Sequence, residues 1–187
     1  MKQLANFSAI LSIALLCSCQ QQPPNPETDA ATKPAFDEAA ETTALMQVID
    51  NETKCFFDGN YECWAKNWSH QPYALQAWNN SDGTSDAAVG WEKINAQGKG
   101  WIEDIYKNGE IVIHPVFKRD KPQVKFFGDN MAYLIWTQYN ADKEKKIYRV
   151  SRETRLMEKE SDGWKIVNVS AFWDAEPKVA FDSLLIN

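Results

Sequence analysis

Histidine, cysteine and glycine-rich loops are scarce in this chain, and each scarcity removes a class of function. There are two histidines and four cysteines in 187 residues. His70 and His114 stand far apart, and no Cys-x-x-Cys or His-x-x-x-His spacing occurs, so neither a metal site nor a metal cofactor is expected. No Gly-x-Ser-x-Gly elbow, no thiol-enzyme Cys/His pair and no phosphate-binding glycine loop is present, which removes the common nucleophiles and nucleotide cradles. No organic cofactor is expected either. Basic residues are in deficit: 20 Lys and Arg face 26 Asp and Glu, for a net charge of −6, with no basic run. Such a field repels nucleic acid and excludes it as an expected partner.

Long apolar runs are also lacking. The one at Leu4 to Leu16 is too short and too abruptly ended to span a bilayer, and behind Met1-Lys2 it reads as a signal peptide over residues 1–18. It ends in Leu16-Cys17-Ser18-Cys19, and Leu-x-Ser-Cys resembles the bacterial lipobox, whose cysteine is acylated. Cys19 fits that motif; Cys17 does not, because Leu16 before it is too large for the cleavage subsite. An ordinary secretory peptide is the competing reading. Several acyl chains on Cys19, at about 0.8 kcal/mol per buried methylene, would make a stable membrane anchor. Gln20 follows where Asp is associated with inner-membrane retention, so by analogy with enteric bacteria the expected address is the cell envelope, at the outer membrane. Residues 19–35 carry Pro23, Pro24, Pro26 and Pro34 among Gln, Asn, Thr and Ala, too few apolar groups to offset ordering entropy, and read as a disordered tether. Residues 36–187 remain as one domain. Its only cysteines, Cys55 and Cys63, sit in an oxidising compartment, where they form either a disulfide or two buried thiols.

Within the domain, Phe36 to Phe57 reads as a helix with Leu45, Val48, Ile49, Glu52, Cys55 and Phe56 at helical spacing and Asp37 as a cap. Asn60 caps a second, short helix with Tyr61, Trp64, Ala65 and Trp68 on one stripe. Tyr73 to Trp78 reads as a short strand, Asn79 to Asp86 as a loop, and the segment from Val89 to Asn108-Gly109 as a third helix carrying Trp91, Ile94, Trp101, Ile102 and Ile105. Gly98 and Gly100 inside it imply close backbone approach or a bend. Strands follow at Glu110–Val116, Val124–Phe127, Met131–Asn140, Ile147–Lys159 and Trp164–Trp173. This order is α+β, with helices gathered on one face of a curved sheet.

The segments Val89-Gly90-Trp91-Glu92-Lys93-Ile94 and Asp162-Gly163-Trp164-Lys165-Ile166-Val167 resemble the opening of the third helix and the final hairpin of the nuclear transport factor 2-like (SnoaL-like) superfamily. Thr137-Gln138-Tyr139 and Glu153-Thr154-Arg155 resemble the association domain of calcium/calmodulin-dependent kinase II, which shares that fold. The resemblance covers Asp37 to Trp173. It implies a cone-shaped cystatin-like roll, three N-terminal helices packed on a curved antiparallel sheet, with a pocket between helices and sheet. It also implies that Arg155 points into that pocket, while Asn168 and Ser170 stand where many members carry two pocket histidines. Gln76 lies roughly where a ketosteroid-isomerase-like base would be expected, so that chemistry is not inherited.

A two- or four-residue loop before Trp164 places Glu153, Arg155 and Met157 on one face with Ile166, Asn168, Ser170 and Phe172. Arg155 then needs a carboxylate, from Glu153 or from a ligand. Trp68, Tyr73, Trp91, Trp101, Tyr133 and Tyr139 are candidate apolar walls, and His70 the candidate proton carrier. Leu134 and Trp136 are assigned to the opposite, convex face with Leu156, Val167, Val169 and Trp173, as a homodimer surface. Three functions fit: a non-catalytic small-molecule binder, a cofactor-independent isomerase, cyclase or hydrolase using His70 or Glu153, and a dimeric scaffold for protein interaction.

Overall fold

The first helix begins where a side chain replaces its missing backbone partners. The computed structural model describes residues 35–107, 117–141, 144–174, 178–180 and 182–184. The segments read as a signal peptide and, but for Ala35, as a tether, together with Cys19, His114 and the strand expected at Glu110–Val116, lie outside them. Asp37 accepts from the amides of Ala39 and Ala40 at 3.0 and 3.1 Å and opens α1 (Glu38–Phe57). Leu45, Ile49 and Cys55 are its buried stripe, with Glu52 on the same side. Asn60 accepts from the Cys63 amide at 3.0 Å and opens α2 (Tyr61–Ala65). A Cys55–Cys63 disulfide, Cα to Cα 5.5 Å, ties the end of α1 to α2.

Gly90, at φ +86°, starts α3 (Trp91–Lys107) by donating to the Ala74 carbonyl at 2.8 Å. That left-handed backbone favours glycine. Further along α3, a Cβ added at Gly98 would stand 2.2 Å from Trp64 Cη2, whereas one at Gly100 meets nothing within 4 Å. Gly98 is therefore the close approach, and through it α3 seats on the Trp64 indole.

The sheet contains β1 (Leu75–Asn79), β2 (Ser85–Val89), β3 (Phe117–Arg119), β4 (Gln123–Phe127), β5 (Met131–Ala141), β6 (Ile147–Glu160), β7 (Gly163–Trp173) and β8 (Val179–Ala180). Its order is β2-β1-β7-β6-β5-β3, with β4 also on β5 and β8 on β6. It is curved and open. Two expectations need correction. The stretch Asn79 to Asp86, read as a loop, is the turn of a hairpin in which Ser85 to Val89 pairs with β1. The sheet is mixed as well, because β1 runs parallel to β7. Parallel pairing needs a long connection, and β2, α3 and β3 to β6 all lie between those strands in the chain. The core comprises Leu45, Ile49, Trp64, Trp68, Ile94, Leu134, Trp136, Met157, Trp164 and Ile166.

Gly98→Ala gains about 1 kcal/mol of helix propensity but must displace a Trp64 indole that is 1% exposed, at an overpacking cost of about 1–3 kcal/mol. Chemical denaturation should find Gly98→Ala less stable than wild type and Gly100→Ala more stable, by about 0.5–1 kcal/mol. Equal stability of the two variants would refute the close approach.

Candidate functional site

The face on which each side chain lies follows from strand register. β5 and β6 pair Leu134 with Arg155 and Trp136 with Glu153, so those four share the helix-covered face. Leu134 and Trp136 are 0% and 3% exposed. They are core, which overturns their assignment to the convex surface; Tyr133, Ile135 and Tyr139 take the outer face instead. Between β6 and β7 the two-residue loop sets the expected register near the turn, where Met157 pairs with Ile166. A bulge then intervenes: Leu156 pairs with Asn168, leaving Val167 without a partner. Beyond it Arg155 faces Val169 and Glu153 faces Ala171. Asn168 and Ser170 therefore turn outward, away from Arg155, while Val169, Ala171 and Trp173 turn inward, each the reverse of the expectation.

Arg155 lies at the centre of the inner face, 7% exposed beside Glu153 at 3%. Its Nη1 donates to Glu153 Oε2 at 3.0 Å and to the Thr154 carbonyl at 2.8 Å, and its guanidinium sits 5.1 Å from the Trp136 ring centroid. The other Glu153 oxygen accepts from Ser151 Oγ at 2.7 Å. From there a chain of side chains leads outward: Asn140 donates to Ser151 at 3.1 Å, Gln138 to Asn140 at 2.8 Å, and Arg119 Nε to Gln138 at 2.8 Å. Arg119 closes the chain on Asp50 of α1. Glu153 is thus the internal counter-charge of Arg155.

α1 supplies a second carboxyl. Glu52 accepts from Trp64 Nε1 at 2.9 Å. The residue as a whole is only partly covered, yet its carboxyl lies deep enough that burial raises its pKa, against the opposing pull of Arg155 and the indoles. Trp68 Nε1 is turned toward the same carboxyl without reaching hydrogen-bond geometry. Three buried polar atoms of this face have no partner among the described residues: Trp68 Nε1, Arg155 Nε and Gln76 Oε1. Gln76 pairs in register with Val169, and Val169 with Arg155. Gln76 and Arg155 therefore flank Val169 in one row, with Trp78 and Glu153 flanking Ala171 in the next. Val169, Ala171, Gln76 and Trp78 stay half-buried while Leu134, Met157 and Ile166 are sealed. The result is a trough along β7, with small side chains for its floor and longer ones for its walls. Trp78 meets Trp101 at 5.6 Å, and Trp101 meets Phe56 at 6.0 Å, closing one apolar side.

Of the residues expected in the site, Arg155, Glu153, Trp68 and Trp101 reach this region. Trp91 lies between His70 and Trp64, stacked at 4.0 and 5.8 Å. His70 itself is exposed, with Nε2 3.0 Å from the Ala65 carbonyl oxygen. Tyr73 is 55% exposed and donates to Glu158 at 2.8 Å, outside the trough. Tyr139 packs edge-on against Tyr148 at 6.4 Å. Glu52 and Trp136 were not expected in the site, and Gln76 was noted only as standing where a base would be expected. Glu52 was nevertheless visible, as a carboxylate in the inward stripe of α1, a position that otherwise calls for an apolar residue. No group of three or more His, Cys, Asp or Glu among the described residues is arranged to hold a metal ion.

No known family matches the chain by sequence, and no curated protein does either. Solved structures do match. One is a nuclear transport factor 2-like protein of unknown function from Pseudomonas putida KT2440, 14% identical with a TM-score of 0.55, covering 80% of this chain and 99% of that one. Another is a cystatin-like fold protein from Burkholderia xenovorans LB400, 18% identical with a TM-score of 0.52, covering 75% and 96%. A third, from Xanthomonas campestris, is assigned as a calcium/calmodulin dependent protein kinase II association domain, 22% identical with a TM-score of 0.51, covering 80% and 97%. The chain has the nuclear transport factor 2-like, cystatin-like fold.

Because burial raises the Glu52 pKa above its ordinary 4.5, the folded protein holds a proton that the unfolded chain releases. Stability contributed by Glu52 is therefore lost as pH rises from about 4.5 through the raised value. Glu52→Gln keeps an acceptor for Trp64 and removes this titration. Its melting temperature should rise relative to wild type as the pH is raised above about 4.5. A gap that stays constant with pH would show that Glu52 titrates normally.

Proposed function

We propose that this protein is a lipid-anchored envelope protein whose domain binds a small molecule in the trough between α1, α3 and β7, without catalysis. The observation that carries the reading is the set of buried, unpartnered polar atoms at Arg155, Trp68 and Gln76 beside a half-open apolar floor. Each such orphan costs about 1–3 kcal/mol, and a structure that leaves three together is built to have them satisfied from outside the chain. Native mass spectrometry of the purified full chain should find a small molecule bound. A protein that is consistently free of ligand, with no added mass and nothing in a solvent extract, would count against it. The anchor rests on Leu16-x-Ser18-Cys19, and no helix among the described residues is long and apolar enough to cross a membrane. Cys19→Ala should move the protein from the membrane fraction to the soluble one; continued sedimentation after a salt wash would remove the anchor.

One observation favours a second reading, a cofactor-independent enzyme in the same trough: a carboxyl whose proton affinity is raised by burial is suited to general acid work. That role belongs to Glu52, since His70 lies outside.

The homodimer belongs to the outer face, on different residues from those first expected. Val89 and Phe172 are each 56% exposed and Tyr133 37%, alongside half-buried Leu75, Ile135 and Leu156. One face that gathers this much exposed apolar surface is suited to a partner copy. Phe172→Glu should convert a dimer into a folded monomer by light scattering. A wild type that is monomeric at micromolar concentration would rule it out.

A further inference from the structure

The unpartnered atoms of the trough define the chemistry of its occupant, provided the binding function proposed above holds. Arg155 is neutralised before any ligand arrives, since Glu153 bonds its Nη1 at 3.0 Å. Glu52 is near enough to interact with it electrostatically, and the one further cation of the network, Arg119, is held by Asp50. An anionic ligand would add negative charge beside the buried Glu153 carboxylate, and a cationic one would meet Arg155 in a site shielded from water. Neither charge sign is welcome.

The spare hydrogen-bonding capacity is mixed in the same way. Arg155 Nε and Trp68 Nε1 are donors, whereas Gln76 Oε1 is an acceptor. A carboxylate offers acceptors only and would leave Gln76 Oε1 unsatisfied. A carboxamide offers both. Register places Gln76 and Arg155 either side of Val169, so their Cα atoms are about 9.6 Å apart at two strand spacings, with the small side chains of Val169 and Ala171 between them. Trp78, Trp101 and Phe56 present an aromatic side to it.

We propose that the trough binds an uncharged aromatic molecule bearing a carboxamide or lactam, whose carbonyl accepts from Arg155 Nε and whose N–H donates to Gln76 Oε1. Specificity is set at Gln76, a residue with no other assigned role. Three probes of one shape separate the classes: 2-naphthamide, 2-naphthoate and 2-naphthylmethylammonium, titrated calorimetrically into the full chain at neutral pH after any bound molecule has been removed. The amide should bind about tenfold or more tighter than either ion, in line with the penalty for leaving a buried polar group unpaired. Arg155 variants disturb a buried ion pair and can fail to fold, so the informative substitution is Gln76→Met. It removes an unpartnered polar atom and should fold at least as stably as wild type. It should weaken the amide about tenfold and leave the two ions unchanged.

Equal or tighter binding of naphthoate or of the ammonium would overturn the ligand class while leaving the binding function intact. So would amide binding that Gln76→Met does not weaken. Failure of all three probes also overturns the ligand class; the binding function falls with it only where no molecule co-purifies with the full chain.

Discussion

One extra residue in β7 decides what this fold presents to its interior. The bulge at Val167 places Ile166 and Asn168, two apart in the chain, on opposite faces of the sheet. Without it, Asn168, Ser170 and Phe172 would share the inner face with Arg155, and the floor of the trough would be polar. With it, that floor is Val169 and Ala171, and the amide and hydroxyl of Asn168 and Ser170 bond to each other at 3.2 Å on the outside. Val167 itself, 4% exposed, is buried at the kink. A bulge bends its strand and increases local twist, which suits a sheet that must curve around three helices.

The polar chain from Asp50 to Arg155 is the second constraint. A guanidinium this deep cannot shed its charge, so its cost is met by Glu153, and Glu153 in turn by Ser151. Breaking such a pair by removing one partner costs about 3–5 kcal/mol, whereas exchanging both for apolar residues is often neutral. The pair is thus poor evidence for stability as such. It is better read as a means of holding Arg155 Nε at a fixed point, since Nη1 is pinned at 3.0 and 2.8 Å. A fixed donor costs less entropy when it is engaged than a free one does. Trp64 performs the same service for Glu52, and Gly98 lets α3 come close enough to press on Trp64.

Much of this was legible in the residues. The caps at Asp37 and Asn60, the stripe of α1 and the long strands all depend on neighbours within a turn or a hairpin, and local preference determines such features. The Glu153–Arg155 pairing was legible for the same reason, because residues two apart on a strand share a face. The hairpin of β1 and β2 was hidden by Asn80, Ser81, Asp82 and Gly83, whose turn chemistry dominates the short strand that follows.

What only the tertiary structure decided was the pairing between distant segments. The parallel placement of β1 on β7, the burial of Trp136 in place of Tyr133, and the bulge that turns Asn168 outward all depend on contacts across the domain. β5 and β7 each carry apolar side chains on both faces, so alternation could not identify the inner one. A shift of one residue exchanges every side chain between faces; the sequence by itself determined the elements and their caps, while long-range packing chose which side of each strand became the site.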